Sequence, residues 1–304
     1  MDGARGTGSN LMYYFLALFT GVLITVMVTF NGGLTETHGL YSATVIIHTV
    51  GLAAVSSLLL FKRESPFTRE GKRPPRYLYL SGTVGLLTVL LTNYAFGNIS
   101  VSSILALGLF GQSLSGIAVD QFGLFGMKKY PFNARKCIGL SFMFAGVIVM
   151  VSDFNNPNAL LAAAAAFATG ISIVTCRVLN ARLAAHIGTR RGVFFTHITG
   201  LAVAIPILLL FGRGEAGIHF NYVFTPSFYI YIGGLLGVAV IMTDNITAVR
   251  IPAFYLSLLL FVGQVSSALA ADFIIDRSLN PYNIAGVTLV ALGLGLNVFT
   301  EKRR

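Results

Sequence analysis

Long apolar runs separated by short polar segments dominate the chain. Ten of these runs approach the 20 or so mostly apolar residues that a helix needs to cross the hydrocarbon core of a bilayer. They lie near residues 12–31, 41–61, 77–96, 102–122, 134–152, 159–178, 192–211, 228–249, 253–275 and 283–300. Lys128-Lys129-Tyr130-Pro131 divides the fourth run from the fifth cleanly, whereas only Arg250-Ile251-Pro252 divides the eighth from the ninth. The pattern predicts an all-α integral membrane protein with ten transmembrane helices.

The basic residues test this span count independently. If the N-terminus is cytoplasmic and the spans alternate, 19 of the 21 Lys and Arg residues fall in cytoplasmic segments. Only Arg213 and Arg277 fall outside. One missed span would invert every later segment, so this positive-inside bias favours ten spans with both termini in the cytoplasm.

Composition excludes several classes of protein. Apolar residues make up 55% of the chain and charged residues 11%, against roughly a quarter charged in soluble domains. The short polar N-terminus leads into the first run without a small-residue cleavage site, which favours a first helix over a signal peptide. The net charge of +10 comes from short turns, so we expect no nucleic-acid partner. Cys137 and Cys176 have no metal spacing, and no phosphate-binding loop or catalytic motif is present, so we expect no cofactor, no metal and no enzymatic activity.

Polar residues recur along the chain at a nearly constant offset, which indicates an internal duplication. A shift of 149 aligns Gly21, Asn31, Leu34, Gly39, His48 and Gly51 with Gly170, Asn180, Leu183, Gly188, His197 and Gly200. A shift of 152 aligns Tyr77, Tyr79, Gly82, Gly85, Asn93, Gly111, Gln112, Ser115 and Asp120 with Tyr229, Tyr231, Gly234, Gly237, Asn245, Gly263, Gln264, Ser267 and Asp272. A shift of 147 aligns Asn133, Gly139 and Gly146 with Asn280, Gly286 and Gly293.

The duplication predicts two repeats, residues 1–152 and residues 153–304. Each repeat holds five predicted spans, an odd number, so the second copy must be inverted in the membrane relative to the first. Inverted repeats give many secondary transporters two nearly equivalent conformations, and this symmetry is the main reason to expect a transporter.

The segment Phe110-Gly-Gln-Ser-Leu-Ser-Gly-Ile-Ala-Val-Asp-Gln-Phe-Gly123, preceded by Asn31, Leu34 and Gly39, resembles the YdcZ-type branch of the drug/metabolite transporter superfamily. The resemblance extends over almost the whole chain, once in each half. The second copy departs from the pattern, because Ile274-Ile275 replaces the Phe-Gly that follows the aspartate. The resemblance implies a ten-helix inverted-repeat carrier with a central cavity between the halves. Substrates in this superfamily include metabolites, amphipathic drugs and cations.

Two polar helix faces are candidates for substrate binding. Gln112 and Ser115 lie on one face of the fourth span, and Gln264 and Ser267 repeat that face on the ninth. Both glutamines lie near mid-span, where an unpartnered amide is costly, so a binding role is expected for them. The alternative for the glycines and serines of this face is a packing seam with polar hydrogen bonds.

Asparagines near the predicted helix ends form a second set of candidates, Asn31, Asn93, Asn180 and Asn245. They could form a hydrogen-bonding rim at two cavity mouths. An asparagine at a helix end can equally satisfy freed backbone carbonyls, which leaves a structural role open.

Three ionisable groups inside the spans are candidates for proton coupling. His48 and His197 occupy matched repeat positions and could be a structural pair or a proton relay. Asp244 lies near the cytoplasmic end of the eighth span, where an ionised carboxylate is costly unless it is paired or hydrated. Snorkelling or pairing with Arg250 is its structural alternative, and a functional role would bias the cavity toward cationic or amine cargo. Asp120 and Asp272, near the membrane surfaces, are expected to cap or pair, and Arg177 is expected to snorkel to the inner interface.

The leading hypothesis is a secondary-active carrier of a small organic solute, such as a metabolite, an amine or an amphipathic cation. It would work by alternating access and exchange substrate for protons, as an antiporter. A membrane-embedded enzyme or flippase acting on lipid-linked intermediates is the alternative, but no catalytic cluster is visible at either interface. A sensor or scaffold would leave the duplicated glutamines and histidines unexplained. The expected partners are a small-molecule substrate, the lipid bilayer of the plasma or inner membrane, and protons, with one chain (a monomer) completing a transport unit.

Overall fold

The computed structural model describes residues 3–67, 73–126, 134, 136–152, 157–215, 217–218, 226–248, 250, 253–276 and 280–301. These residues form ten α-helices in the predicted order. Their bounds are α1 Gly3–His38, α2 Leu40–Phe61, α3 Ser81–Phe96, α4 Val101–Phe122, α5 Lys136–Val151, α6 Pro157–Ile187, α7 Thr189–Phe211, α8 Gly233–Ala248, α9 Ala253–Asp276 and α10 Pro281–Glu301. Short 3₁₀ segments precede α3 and α8 and follow α4, at Arg76–Leu80, Pro226–Ile232 and Leu124–Gly126.

Two predicted helix ends are wrong in the same way. The first run was expected to end near residue 31 and the sixth near residue 178, yet α1 continues to His38 and α6 to Ile187. Both extensions bury a leucine, Leu34 and Leu183, which the repeat makes equivalent. Polar residues in these turns, such as Glu36 and Arg182, interrupt the apolar runs, so hydropathy ends both helices too early.

Each extended helix is followed by an equivalent glycine. Gly39 has φ = 93° and Gly188 has φ = 86°, in the region that residues with a Cβ rarely adopt. The chain therefore turns within one residue from α1 into α2 and from α6 into α7. The same sharp turn at the same repeat position agrees with the predicted duplication.

Seven helical stretches in the described part of the chain are long and apolar enough to cross a membrane. They are Leu11–His38, Leu40–Phe61, Arg76–Phe96, Val101–Val119, Pro157–Ile187, Thr189–Phe211 and Ser227–Asp244. Two further apolar helices, Lys136–Val151 and Leu259–Ile275, are shorter. The chain is thus a multi-pass helical membrane protein, and the count of ten crossings stays a prediction.

Equivalent helices of the two halves pack against each other. On α5 and α10, a Cβ added at Gly293 would clash with the Gly139 carbonyl oxygen, and one at Gly146 would clash with the Gly286 carbonyl oxygen. The earlier glycine of α5 thus faces the later glycine of α10, so the two helices run antiparallel. Their backbones touch because neither side presents a Cβ at the crossing.

A second kind of contact between the halves occurs twice, and the two halves exchange roles between its two copies. Gly21 of α1 lies against the backbone of α9 at Gly263, and Gly170 of α6 lies against the backbone of α4 at Gly111. The offsets of 149 and 152 relate Gly21 to Gly170 and Gly111 to Gly263. The two contacts are therefore the same contact, and they join α9 to α1 and α4 to α6 across the two halves.

Three connections meet at one end of the bundle, which we call the basic end. Arg182 Nη1 donates to Tyr77 Oη at 3.0 Å and also to the Phe125 carbonyl oxygen. Arg190 makes an ion pair with Glu64, and the hydrogen bond from its guanidinium lowers the pKa of the Glu64 carboxyl. These contacts join the α2–α3, α4–α5 and α6–α7 connections at the end where the sequence concentrates positive charge.

The other end of the bundle, which we call the acidic end, is tied by a carboxylate at a helix N-terminus. Glu215 accepts hydrogen bonds from the backbone N–H groups of Tyr41 at 2.9 Å and Ser42 at 2.8 Å, at the start of α2. A carboxylate there satisfies orphan donors and complements the helix dipole. Glu215 lies 151 positions after Glu64, so each half supplies an acid to the helix start of the other.

Gly293→Ala tests the α5–α10 contact against Gly295→Ala on the same helix. A Cβ at position 293 would meet the backbone of Gly139 and Met143, whereas nothing lies within 4 Å of a Cβ at position 295. We expect Gly293→Ala to lower the apparent Tm of the purified protein by about 2–10 °C. We expect Gly295→Ala to leave it unchanged or slightly raised. Equal Tm values for the two variants would contradict the packing described here.

Candidate functional site

A cavity of about 290 Å³ lies between α4, α5, α6, α9 and α10. It is lined by Leu109, Gln112, Ser113, Gly116, Ile117, Lys136, Val174, Arg177, Leu260, Phe261, Gln264, Leu294 and Asn297. Its volume is near the lower end of the range for small-molecule sites, and its apolar walls with a few polar groups are typical of them.

The cavity lies in the half of the bundle nearest the basic end. Ile117 is close to the end of α4, and Lys136 is the first residue of α5. Asn297 is near the end of α10, which lies beside the start of α5 because the two helices are antiparallel.

Gln112 and Gln264 both line this cavity, one from each half of the chain. The Gln264 side chain is buried, and its backbone carbonyl accepts a hydrogen bond from Thr25 Oγ1 at 3.1 Å. Gln112 is half-buried. An amide both donates and accepts hydrogen bonds, so the pair can orient a polar solute from two sides. The two glutamines that the sequence singled out are thus brought together.

The serines of the same helix faces lie outside the cavity lining. Ser115 Oγ donates to the Gln112 carbonyl oxygen at 3.3 Å. Ser267 Oγ donates to Thr25 Oγ1 of α1 at 2.9 Å. Their hydroxyls are satisfied by the bundle itself, which fits the packing-seam alternative for the serines.

The asparagines lie apart from the cavity lining. Asn31 and Asn180 were expected near helix ends, and that expectation is wrong. Asn31 and Asn180 are seven residues before the ends of α1 and α6, because both helices continue beyond the predicted ends. Asn180 Oδ1 accepts a hydrogen bond from Thr196 Oγ1 of α7 at 2.6 Å. Neither asparagine can cap its helix from this position.

The remaining asparagine pair lies near helix ends as expected. Asn93 is buried, three residues before the end of α3, and its Nδ2 has no partner within the described part of the chain. Asn31, of the first pair, is also buried, and its Oδ1 has no hydrogen-bond partner among the described residues. The backbone of Asn245 belongs to α8, and its side chain lies outside the described residues.

His48 and His197 face each other between α2 and α7. Their ring centroids are 5.6 Å apart with an interplanar angle of 66°, and both side chains are buried. A Cβ at Gly200 would press against His48, and one at Gly51 would press against His197. All four ring nitrogens lack a hydrogen-bond partner among the described residues. Unsatisfied buried nitrogens are uncommon, and the pair is separated from the cavity lining.

Asp244 pairs with Arg177 and not with Arg250, which corrects the expected partner. Arg177 Nε lies 3.0 Å from Asp244 Oδ2. Arg250 lies instead over the ring of Tyr13, 5.7 Å from its centroid. Arg177 also lines the cavity and does not lie at a helix end. The reason is the longer α6, which leaves Arg177 ten residues before the helix end.

Sequence reasoning missed four polar cavity residues, Ser113, Lys136, Arg177 and Asn297. All four lack a matching residue type in the other repeat, where the offsets place Val265, Asn283, Val28 and Met150. A search for matched polar pairs therefore passes over them. The one available signal for a cavity residue was that Arg177 is a basic residue inside a predicted span.

The acidic end of the same helices is closed by hydrogen bonds. Asp272 of α9 accepts from the backbone N–H of Val101 at 2.8 Å and of Ser102 at 3.1 Å, at the start of α4. Asn283 Nδ2 of α10 donates to Ser100 Oγ at 2.8 Å. The expected capping role of Asp272 is confirmed. The side chain of Asp120, its repeat equivalent, lies outside the described residues.

An apolar cluster fills the bundle beside this closed end. It contains Val28, Val101, Leu105 and Ala268, all buried. The offsets relate Val28 to Arg177 and Ala268 to Gly116, both of which line the cavity. Equivalent positions are therefore packed in one half of the bundle and line a cavity in the other.

Comparisons with known proteins agree with this architecture. A crystal structure described only as "Crystal structure of protein" is 15% identical, with a TM-score of 0.60, and the alignment covers 97% of this chain and 98% of that one. At this identity the likeness concerns the fold alone. No curated protein matches the chain. Residues 12–149 and 161–296 each match the family described as "Putative inner membrane exporter, YdcZ". The matches span nearly the whole chain in two copies, and the protein belongs to this YdcZ family of multi-pass inner-membrane transporters.

Proposed function

We propose that the chain is a secondary-active carrier that moves a small organic solute by alternating access. The solute binds in the cavity between α4 and α9. The observation that carries this proposal is that Gln112 and Gln264, matched residues of the two repeats, line one cavity of about 290 Å³. A packing seam would bury both amides against helices and would leave no space between them.

The contrast between the two ends of the bundle supports alternation. One half of the bundle is packed by apolar residues beside the Asp272 hydrogen bonds, while equivalent positions in the other half border the cavity. If the repeats exchange roles, the packed half opens and the cavity half closes. Asp120 would then take the role that Asp272 has here, at the start of α9.

The proposed topology is ten spans, with repeats of residues 1–152 and 153–304 inverted relative to each other. The antiparallel contact of α5 with α10 supports the inversion, since these helices are equivalent. The grouping of Arg182, Arg190 and their partners at one end supports a cytoplasmic basic end. Since the cavity lies toward that end, solute would enter it from the cytoplasm, which is the direction an exporter requires.

Proton coupling is the proposed energy source, because the sequence holds no phosphate-binding loop for nucleotide use. His48 and His197 are a buried pair between equivalent helices that would move relative to each other during alternation. Asp244 contacts the cavity through Arg177. These three groups could exchange protons as the carrier changes state.

Substitution of the glutamines tests the binding site. Gln112→Ala and Gln264→Ala should each weaken binding of a solute found by thermal-shift screening against a metabolite library, by about tenfold, because a buried hydrogen bond is lost. Gln121→Ala is the matched control, since Gln121 is exposed on the same helix α4. Unchanged affinity in both cavity variants, with normal transport, would show that the helix face shared by Gln112 and Gln264 serves only for helix packing.

Cysteine labelling tests the topology. In a Cys137→Ser, Cys176→Ser background, we expect Arg63→Cys and Arg213→Cys, both at exposed positions, to react from opposite sides of the membrane, with position 63 cytoplasmic. The two positions lie at opposite ends of the bundle, in the α2–α3 and α7–α8 connections. Labelling of both from the same side would refute the span assignment and the inversion with it.

Proteoliposomes test the coupling. His48→Gln, His197→Gln and Asp244→Asn should each abolish transport driven by a pH gradient, because each removes a proton-exchanging group, while counterflow exchange survives in at least one variant. His186→Gln is the control, since His186 lies at the end of α6 and bonds only the Arg182 carbonyl among described residues. If all three variants still accumulate solute under a pH gradient, coupling to sodium or facilitated diffusion replaces this account.

A further inference from the structure

We infer that the cargo is an organic anion, whose carboxylate or similar group binds the Arg177 guanidinium on the cavity wall. The inference rests on the proposed function, because it takes the cavity shared by Gln112 and Gln264 as the transport site. It adds the chemical class of the solute.

The charges on the cavity wall are the first argument. Among the described lining residues the two charged groups are Lys136 and Arg177, and none is acidic. In the low-dielectric interior of a membrane protein, basic groups on the wall disfavour a cationic solute and favour an anionic one that can replace Asp244 at Arg177. The amides of Gln112 and Gln264 can donate further hydrogen bonds to an anion.

The geometry of Arg177 is the second argument. Its Nε lies 3.0 Å from Asp244 Oδ2, which leaves two further nitrogens on the same guanidinium. The Arg177 side chain is 42% exposed and the Asp244 side chain 15%. Arg177 is also a lining residue of the cavity, and terminal guanidinium nitrogens bind carboxylates well.

Asp244 is better suited to be the counter-ion of Arg177 than a cation site. Its carboxylate is largely covered, is paired at 3.0 Å, and is absent from the cavity lining. In the empty carrier it compensates the arginine charge. A solute carboxylate would compete with it for the same guanidinium.

The other repeat lacks matching charges, so the affinity for an anion would differ between the two ends of the bundle. The offsets place Val28, Asn283 and Met150 at the positions of Arg177, Lys136 and Asn297. When the acidic end opens, the cavity there would present an uncharged wall where the basic end presents cations. The carrier would therefore bind an anion tightly at the basic end and release it at the acidic end.

Matched ligands test the inference. Carboxylates of four to ten carbons, each paired with the amine and the alcohol of the same skeleton, are screened by thermal shift, and dissociation constants of the hits are measured by calorimetry. We expect the carboxylates to bind at least about tenfold more tightly than their partners. Arg177→Gln should abolish this preference, and Arg177→Lys should restore part of it. Arg63→Gln, at an exposed position in the α2–α3 connection, is the control and should change nothing.

Asp244→Asn supplies a result of opposite sign. It should leave carboxylate binding intact or tighten it, because the competing carboxylate is gone. Loss of amine binding in this variant, or amines that bind the wild type as tightly as carboxylates, would overturn the inference.

If Gln112→Ala weakens binding of a hit and Arg177→Gln does not, the anion inference fails alone. If neither variant weakens it, the proposed cavity fails as well. Should Arg177→Gln not fold, Lys136→Gln replaces it, with the same direction of effect expected.

Discussion

Backbone contact at glycines holds the two halves of this protein together. Lipid chains are as apolar as leucine, so membrane helices associate through close packing and hydrogen bonds and not through the hydrophobic effect. Gly21 against Gly263 and Gly170 against Gly111 bring α1 onto α9 and α6 onto α4 at backbone distance. These contacts fix the positions of α4 and α9, which carry the two glutamines. Leu260 and Gln264, which lie at the Gly21 contact, also line the cavity.

Polar groups then distinguish the two ends of a bundle whose backbone is nearly symmetric. At the acidic end, Asp272 and Asn283 bind the start of α4 and its flanking serines. At the basic end, Lys136 and Arg177 line open space. In the proposed carrier, the repeat symmetry would permit two equivalent conformations, while the unmatched side chains would make them unequal in their affinity for a charged solute. Both properties would suit a transporter with a preferred direction.

Much of the fold was predictable because its signals are local or periodic. Hydropathy located all ten helices, and the matched residues paired Gln112 with Gln264 before their common cavity was visible. The last turns of α1 and α6 were missed because polar residues there interrupt the apolar runs. The predicted role of Asn31 and Asn180 failed for the same reason. That role required both residues to lie at helix ends, and the ends lie seven residues later.

The sequence by itself determined the membrane class, the order of the helices, the duplication and one matched pair of cavity-lining residues. Each of these depends on composition or on spacing along the chain, both of which can be read without knowing which helices touch. Only the tertiary structure decided that Asp244 pairs with Arg177, that the histidines lie apart from the glutamines, and that the cavity wall is basic. Those outcomes depend on rotations and crossings of helices distant in sequence. Backbone contacts at a few glycines determine these rotations, and hydropathy is insensitive to them.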